Sequence, residues 1–200
     1  MNKPKTISNE ESDKLIHWLD NRYKTIFDLA VQSGLRISDI LNLRVKDVSN
    51  PMTVYEKKSK RKRTFTITDK LYNQLIFLSD LKSKNDYVFE SHSKTGVSVH
   101  RSTIHRHIKK AAQWSRMDCS THSARKLYAQ NILKETGSVE AVQKAMNHHK
   151  LSTTLTYLDI VPQDVTEAQE HATKHSKTSI FKRISNFIDK FIDKINHYKE

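Results

Sequence analysis

The C-terminal part of this chain constrains its fold and chemistry most strongly, through the segments T-H-S-A-R-K and M-N-H-H-K-L-S-T-T-L-T-Y. His122 and Arg125 are three residues apart and therefore share one face of a helix. His148 and Tyr157 lie nine residues apart across a predicted turn, and Ser152 is a good N-cap for a short helix carrying Tyr157. These side chains can form a phosphate site with a nucleophile. On chemistry alone, a basic surface with a buried tyrosine explains them equally well.

Two motifs in this region, H-S-A-R and N-H-H-K-L-S-T-T-L-T-Y, resemble the HxxR and (L)GHxxxxTTxxY signatures of the tyrosine recombinase (phage integrase) family. The upstream segment S-G-L-R-I-S-D-I-L-N-L-R resembles the first-arginine motif of that family. The motifs occur in the family's order, and the resemblance extends from about Ser8 to about Ile160. It implies a set of catalytic residues, which in this sequence are Arg36, Lys58, His122, Arg125, His148 and Tyr157.

The sequence departs from the family pattern at two positions beside these residues. Asn147 stands where the family has glycine before its histidine, and asparagine also tolerates a left-handed backbone. Lys126 stands where the family often has histidine. Neither departure removes a reactive group. Because the family's glycine-histidine pair falls on Asn147 and His148, we predict that His148, rather than His149, is the site residue.

The charge of the chain favours a polyanionic partner. Thirty-five lysines and arginines oppose 22 acidic residues, which gives a formal charge of +13 over 200 residues. Phosphate neutralisation by such a surface drives sequence-independent affinity for nucleic acid, although an anionic membrane surface or a ribosomal role also fits. The single cysteine, Cys119, excludes a disulfide framework and fits a reducing compartment such as the cytoplasm. No apolar run has the length of a transmembrane helix, so no membrane-spanning segment is expected. Nucleic acid is the expected partner, and a membrane is not.

The periodicity and the scarcity of glycine and proline predict a mainly α fold (α+β), as the resemblance to a helical catalytic domain also implies. Ser8 and Glu11 form a predicted capping box at the start of the first helix. A second helix over about residues 23–33 should end at Gly34. Arg36 then lies at a helix junction, where Asp39 is a natural carboxylate to orient it.

A small antiparallel sheet is predicted from the strand-like segments Met52–Tyr55 and Thr64–Ile67, in which β-branched and aromatic residues alternate with polar ones. Between them lies E-K-K-S-K-R-K-R, a very basic hairpin tip. This tip can act simply as a solvated loop that binds phosphates without specificity.

The family resemblance implies a catalytic lysine on this hairpin. Lys58 aligns best, because the family places a basic residue five positions later and an apolar strand residue seven positions later, which here are Arg63 and Phe65. Lys57 and Lys60 remain alternatives for the same role.

Further helices are predicted after Asp69, which can act as an N-cap, and over the segment ending at Trp114. The apolar run D-Y-V-F-E between them should pack against the core. The helix that ends at Trp114 is strongly basic and suits the major groove or flanking phosphates, through His105, Arg106, His107, Lys109 and Lys110. A metal site built from the histidines of this segment is disfavoured, since no carboxylate or cysteine joins them at ligand spacing.

The sequence divides into a predicted catalytic domain, 1–160, and a C-terminal helical tail, 161–200. The tail carries one apolar stripe at helical spacing, formed by Ile180, Phe181, Ile184, Phe187, Ile188, Phe191, Ile192 and Ile195. Such a stripe can fold onto its own domain, dock on a neighbouring subunit or lie on a membrane. The family resemblance favours docking between protomers. The first arginine arrives at residue 36, so we expect a minimal recombinase or an isolated catalytic domain that lacks the family's usual N-terminal DNA-binding domain.

The resemblance implies a site-specific DNA recombinase or integrase that cleaves and rejoins strands through a 3′-phosphotyrosyl intermediate, with no metal, ATP or other cofactor. The expected partners are double-stranded DNA, further copies of the chain as a dimer to tetramer on DNA, and accessory DNA-bending proteins. One alternative is a type IB topoisomerase, which has similar residues and relaxes supercoils as a monomer. Another is a non-catalytic DNA-binding regulator with the same fold.

Overall fold

Helices dominate residues 5–159, which are the residues that the computed structural model describes, and a two-stranded antiparallel sheet joins them. The strands are β1 (Met52–Glu56) and β2 (Arg61–Phe65), and a short 3-10 helix covers Val45–Asp47. The helices are α1 (Asn9–His17), α2 (Asn21–Ser33), α3 (Ile37–Ile40), α4 (Asp69–Ser79), α5 (Arg101–Trp114), α6 (Thr121–Thr136), α7 (Val139–Ala145) and α8 (Leu151–Tyr157). This arrangement confirms the predicted fold class.

Local sequence signals fix the start of α1 and the end of α2 as predicted, whereas α2 begins at Asn21, two residues earlier than predicted. The Ser8 hydroxyl accepts the backbone N–H of Glu11 at 3.1 Å, and the Glu11 carboxylate accepts the N–H of Ser8 at 2.9 Å, which completes the capping box. Helix α2 ends at Gly34, whose φ of +61° is left-handed and whose N–H donates to the carbonyl of Ala30. The chain can therefore turn sharply into α3.

The β-hairpin extends further towards its tip than predicted. Its register pairs Met52 with Phe65 and Glu56 with Arg61, so pairing continues up to the four-residue turn 57–60. At the other end, β2 stops at Phe65, and Ile67 lies beyond the ladder although its side chain is buried. The alternation of side chains predicted the strands, whereas the backbone pairing sets their ends.

Two predicted helix starts are wrong. Helix α4 is capped by Thr68, whose hydroxyl accepts the N–H of the third helical residue at 3.4 Å, and Asp69 is the first residue inside the helix. Helix α8 begins at Leu151, so Ser152 lies in its first turn instead of capping it. In each case a neighbouring residue already has the extended backbone that an N-cap requires.

The chain forms two compact units, Met1–Ala129 and Gln130–Glu200, with the boundary inside α6. Within the first unit, one side of the hairpin and the apolar faces of its helices bury a continuous core. Its fully buried members include Leu15, Ile26, Phe27, Leu29, Ile40, Met52, Leu75, Val88, Phe89, Ile104 and Ile108. The predicted packing of D-Y-V-F-E is confirmed by Val88 and Phe89, both fully buried.

The second unit, in its described part 130–159, contains the end of α6 together with α7 and α8. Its buried apolar side chains are Leu133, Val139, Val142, Met146, Leu155 and Leu158. No helix among residues 5–159 is long and apolar enough to cross a membrane. The predicted boundary at residue 161 and the apolar stripe from Ile180 to Ile195 lie outside the described residues and stay predictions.

Candidate active site

Arg36 lies in the first unit at the junction between α2 and α3, where it occupies the N-cap position of α3. Its Nη1 lies 3.1 Å from Oε2 of Glu56 and 4.0 Å from Oδ2 of Asp39. The orienting role predicted for Asp39 is therefore shared with a second carboxylate. Both contacts use Nη1, and no hydrogen bond or ion pair within residues 5–159 uses the Nε or Nη2 of Arg36. Those two donors can form a fork towards a phosphate.

Glu56 is the last residue of β1 and is fully buried although it is charged. Its Oε2 accepts from Arg36 and from the Ser59 hydroxyl, which lies at 3.0 Å. Its Oε1 lies 3.2 Å from the Nε of Arg63, which projects from β2 and also donates through Nη2 to the carbonyl of Ser33. A buried carboxylate is stable only when cations and hydrogen bonds compensate its desolvation, and here the hydrogen bonds from Arg36 and Ser59 and the ion pair with Arg63 provide that compensation.

The lysines of the hairpin turn have different surroundings. Lys57 is hydrogen-bonded to residues outside the hairpin. Its backbone N–H donates to the Asp39 carboxylate at 3.3 Å, and its Nζ donates to the side-chain oxygen of Asn42 at 2.9 Å. Lys60 has a left-handed backbone, with φ of +54°, and its N–H closes the turn on the carbonyl of residue 56. Lys58 is exposed, and no hydrogen bond or ion pair in the described part of the chain involves its ammonium. Within the described residues, the ammonium of Lys57 is therefore engaged by Asn42, whereas the exposed side chains of Lys58 and Lys60 are both available for a substrate.

Arg125 and His122 lie on the first turns of α6, in the first unit. Arg125 is only 2% exposed, and its Nη1 donates to the carbonyl oxygen of Gly34. Partial desolvation, followed by the charges of Arg125, Arg101 and His105, lowers the pKa of His122 below its ordinary value. The His122 ring is therefore neutral at physiological pH and can accept a proton.

Asp39 is almost fully buried between these groups. Burial raises the pKa of its carboxyl, and the charge of Glu56 acts in the same direction. The N–H of Lys57 and the charges of Arg36 and Arg125 lower it again. Both arginines thus lie close enough to Asp39 to stabilise its ionised form. The first unit therefore gathers Arg36 and Arg125 around one buried acidic centre.

His148 and Tyr157 lie together in the second unit. Their ring centroids are 5.2 Å apart with planes tilted by 42°, and Nδ1 of His148 lies 3.1 Å from the hydroxyl oxygen of Thr154. His148 is buried, whereas His149 is exposed. The residue before them, Asn147, has φ of +56°, so asparagine here adopts the left-handed backbone that was predicted.

Sequence reasoning missed Glu56, Arg63 and Thr154 as parts of the candidate site. The signal for Glu56 was present, because the inward positions of β1 are Met52, Val54 and Glu56. A carboxylate at an inward strand position next to a basic loop predicts a buried ion pair. Arg63 served only as an alignment marker for Lys58, and nothing in the sequence indicated that Thr154 contacts a histidine.

No group of three or more His, Cys, Asp or Glu side chains suited to hold a metal ion occurs in the described residues 5–159. Two of the three histidines of the α5 segment make other contacts, and the third, His105, is exposed. The ring of His107 stacks on Tyr23, with centroids 3.8 Å apart, and the ring of His100 caps α5 by accepting from the N–H of Ser102.

The fold defined by these elements is that of tyrosine recombinase catalytic domains. The chain is similar to the crystal structure of XerA recombinase, with a TM-score of 0.67 and 21% identity over 88% of this chain and 66% of that one. It is also similar to a lambda integrase dimer bound to a COC′ core site, with a TM-score of 0.65 and 16% identity over 80% of this chain and 49% of that one.

The sequence comparison then gives the family. Residues 5–164 match the model of the phage integrase family, and the chain belongs to that family. It is 32% identical over 168 residues to the probable integrase/recombinase YoeC of Bacillus subtilis, covering 80% of this chain and 91% of that protein. The tyrosine recombinase of Thermosipho africanus is 32% identical over 152 residues, 74% of this chain, and the chain spans 53% of that protein's length.

Proposed function

We propose that this chain is a site-specific DNA recombinase that breaks and rejoins strands through a 3′-phosphotyrosyl link on Tyr157, without metal or ATP. The observation that carries the proposal is the pairing of the two arginine motifs. Arg125 donates to the carbonyl of Gly34, two residues before Arg36, so that both guanidiniums share one acidic centre. Membership of the phage integrase family supports the same reading.

The reaction is a transesterification in which one P–O bond replaces another. The phenolic oxygen of Tyr157 attacks the scissile phosphorus and loses its proton, while the bond from phosphorus to the 5′-oxygen breaks. Negative charge grows on the non-bridging oxygens, and Arg36 and Arg125 bind those oxygens with paired donors. Fixed cations at the point where charge develops stabilise the transition state electrostatically, which is the task a metal ion performs in other nucleases.

Two proton transfers accompany this exchange. His122, neutral because its pKa is lowered, takes the phenol proton, which an unperturbed phenol releases only near pH 10. Lys58 gives a proton to the departing 5′-oxygen. His148 positions Tyr157 through the contact between their rings. The covalent link conserves the phosphodiester energy, so a 5′-hydroxyl from another strand reverses the step without ATP.

The surface of α5 supplies a candidate DNA interface. Its exposed face is basic over three turns, with Arg101, His105, Arg106, Lys109 and Lys110 all open to solvent. Such a stripe neutralises phosphates, and the +13 charge of the chain adds long-range attraction.

Assembly on DNA is the second part of this proposal. The lambda integrase structure with a similar fold is a dimer bound to a core site. By analogy, we propose that copies of this chain assemble as a dimer to tetramer on paired sites, with accessory DNA-bending proteins where the sites require them. The apolar stripe of the tail would dock between protomers, and the working compartment would be the cytoplasm.

A nicked duplex tests the covalent step directly. Cleavage close to a nick releases a short oligonucleotide that diffuses away, so religation fails and the covalent species accumulates. The intact protein should form this species and Tyr157→Phe should not, although both bind the duplex equally. Adduct formation by the Phe variant at the normal rate would remove Tyr157 from the mechanism.

The same preparation separates the alternative functions. A type IB topoisomerase relaxes supercoiled DNA without joining separate molecules, whereas a recombinase exchanges strands between two duplexes that carry its site. A non-catalytic regulator would bind DNA and form no adduct under any of these conditions. The paired arginines around one buried acidic centre favour the catalytic alternatives, since DNA binding alone does not require that buried arrangement.

A further inference from the structure

Glu56 connects two groups that the proposed mechanism uses separately. On one side its Oε2 binds Nη1 of Arg36, which clamps the phosphate. On the other side the same oxygen accepts from the hydroxyl of Ser59, which follows Lys58 in the hairpin turn. One fully buried carboxylate oxygen is therefore shared by a transition-state clamp and by the turn that carries the proton donor.

The surroundings of Glu56 fix its position. Its Oε1 faces the Nε of Arg63 at 3.2 Å, and Arg63 is held in turn by the carbonyl of Ser33 at the end of α2. The backbone carbonyl of Glu56 also accepts the N–H of Lys60, which closes the turn. Rotation of this carboxylate would remove it from both guanidiniums and from the Ser59 hydroxyl and leave its own charge buried without compensation, so it is a rigid anchor.

We propose that Glu56 is a positioning residue that holds the Lys58 turn and Arg36 at a fixed position relative to each other. Charge stabilisation and leaving-group protonation then occur on the same phosphate. This inference rests on the proposed function. It assigns no contact between Glu56 and DNA. The carboxylate acts through its neighbours, and misplacement of a reacting group by about 1 Å can reduce the rate on the order of 100-fold.

The test compares two substrates that differ only in the leaving atom. With a bridging 5′-sulfur, the leaving group needs no proton, so loss of Lys58 function affects the 5′-oxygen substrate selectively. Loss of Arg36 function slows both substrates. The ratio of the two cleavage rates therefore reports on Lys58 alone, and general loss of folded protein does not change it.

Glu56→Gln keeps the shape of the side chain but removes its charge. It also places an amide NH₂ group, which is a donor, against one of the donor groups of Arg36, Ser59 and Arg63. We expect unchanged half-site binding and an adduct rate on 5′-oxygen DNA that is lower by roughly 10- to 100-fold. The 5′-sulfur substrate should recover part of this loss, because the Lys58 contribution is bypassed and the Arg36 contribution is not. Glu90→Gln makes the same change at a partly buried glutamate elsewhere in the first unit and is the control, which should behave as wild type.

Ser59→Ala provides the second variant, because it removes the hydroxyl contact to Glu56 and does not alter Glu56 or the two arginines that pair with it. It should fold normally, lose rate on 5′-oxygen DNA, and recover almost fully on 5′-sulfur DNA. If Glu56→Gln does not fold, Ser59→Ala alone decides the question.

The outcomes distinguish this inference from the proposed function. If wild type forms a Tyr157-dependent adduct but both variants leave the rate ratio unchanged, Glu56 does not position Lys58 and only the inference fails. If wild type forms no adduct that depends on Tyr157, the proposed function fails and the inference fails with it. A changed ratio of the two cleavage rates in both variants, with the ratio of Glu90→Gln unchanged, supports the positioning role of Glu56.

Discussion

The guanidinium of Arg125 donates to the backbone carbonyl of Gly34, which joins two motifs that lie 91 positions apart in the chain. Gly34 ends α2 with a left-handed backbone, and Arg36 follows two residues later. A single hydrogen bond to the main chain thus places one arginine of the candidate site relative to the other. Because the acceptor is a carbonyl and not a side chain, the contact depends on the local backbone conformation.

Gly34→Ala should damage this arrangement. Its φ is +61°, and an added Cβ would lie 2.2 Å from Cδ1 of Tyr128, so the backbone conformation is strained and the ring must move. We expect the free energy of unfolding to fall by about 2–5 kcal/mol, combining backbone strain with overpacking. Urea titration of the variant and the wild type measures this difference.

Gly137→Ala is the matched control for that variant. Gly137 has the same φ of +61°, but an added Cβ would meet nothing within 4 Å. Only the backbone strain of about 1–3 kcal/mol should appear there. Equal losses of stability at the two positions would show that the contact with Tyr128 costs nothing, contrary to the geometry.

Lys58→Ala should cleave 5′-oxygen DNA poorly and 5′-sulfur DNA at nearly the wild-type rate, because a thiolate leaves without being protonated. Loss of a general acid reduces the rate by about 10²–10⁴-fold. Lys57→Ala is the informative comparison, since its ammonium is bound to Asn42. Rescue by sulfur in Lys57→Ala or Lys60→Ala, in place of Lys58→Ala, would transfer the acid to that residue.

His122 should titrate below its ordinary pKa of 6.5 in the free protein, because partial desolvation and neighbouring cations disfavour its charged form. The base is lost when the ring becomes protonated, so adduct formation should decline only as the pH falls below that value. Following the ring protons of His122 by NMR measures this pKa. Arg101→Gln removes one of the cations and should raise it, whereas a wild-type pKa at or above 6.5 would contradict the assignment.

Cleavage should persist in EDTA, since the proposed charge stabilisation comes from Arg36 and Arg125. Arg36→Ala should lose adduct formation in buffer with magnesium as much as in buffer with EDTA. Complete loss of wild-type activity on chelation, restored by adding magnesium, would rule out the metal-independent mechanism.

Local signals made much of the fold predictable. Capping by Ser8 and Glu11 and termination at Gly34 depend on residues that are adjacent in sequence, and both were confirmed. The start of α4 was misplaced because threonine and aspartate are similar as caps, and that of α8 because its N-cap is Lys150, which makes no side-chain capping hydrogen bond that a sequence motif could reveal.

The candidate site was less predictable than the fold. The family resemblance indicated which side chains react, but it did not indicate Glu56. This carboxylate contacts residues on three segments, and it forms ion pairs with Arg36 and Arg63. A long-range ion pair has no periodicity to reveal it, and its existence depends on burial that only packing provides. The contact between Arg125 and Gly34 is similar, since every residue offers a carbonyl and the sequence does not show which one is used.

Mapping the covalent link identifies the nucleophile itself. Protein trapped on a nicked duplex is digested with protease and nuclease, and the peptide that retains nucleotides is sequenced by mass spectrometry. We predict a single linked peptide, with the 3′-phosphate of the cleaved strand on the Tyr157 oxygen and a free 5′-hydroxyl on the released fragment. A link to any other residue, a 5′-phosphate attached to the protein, or cleavage with no covalent species would contradict it.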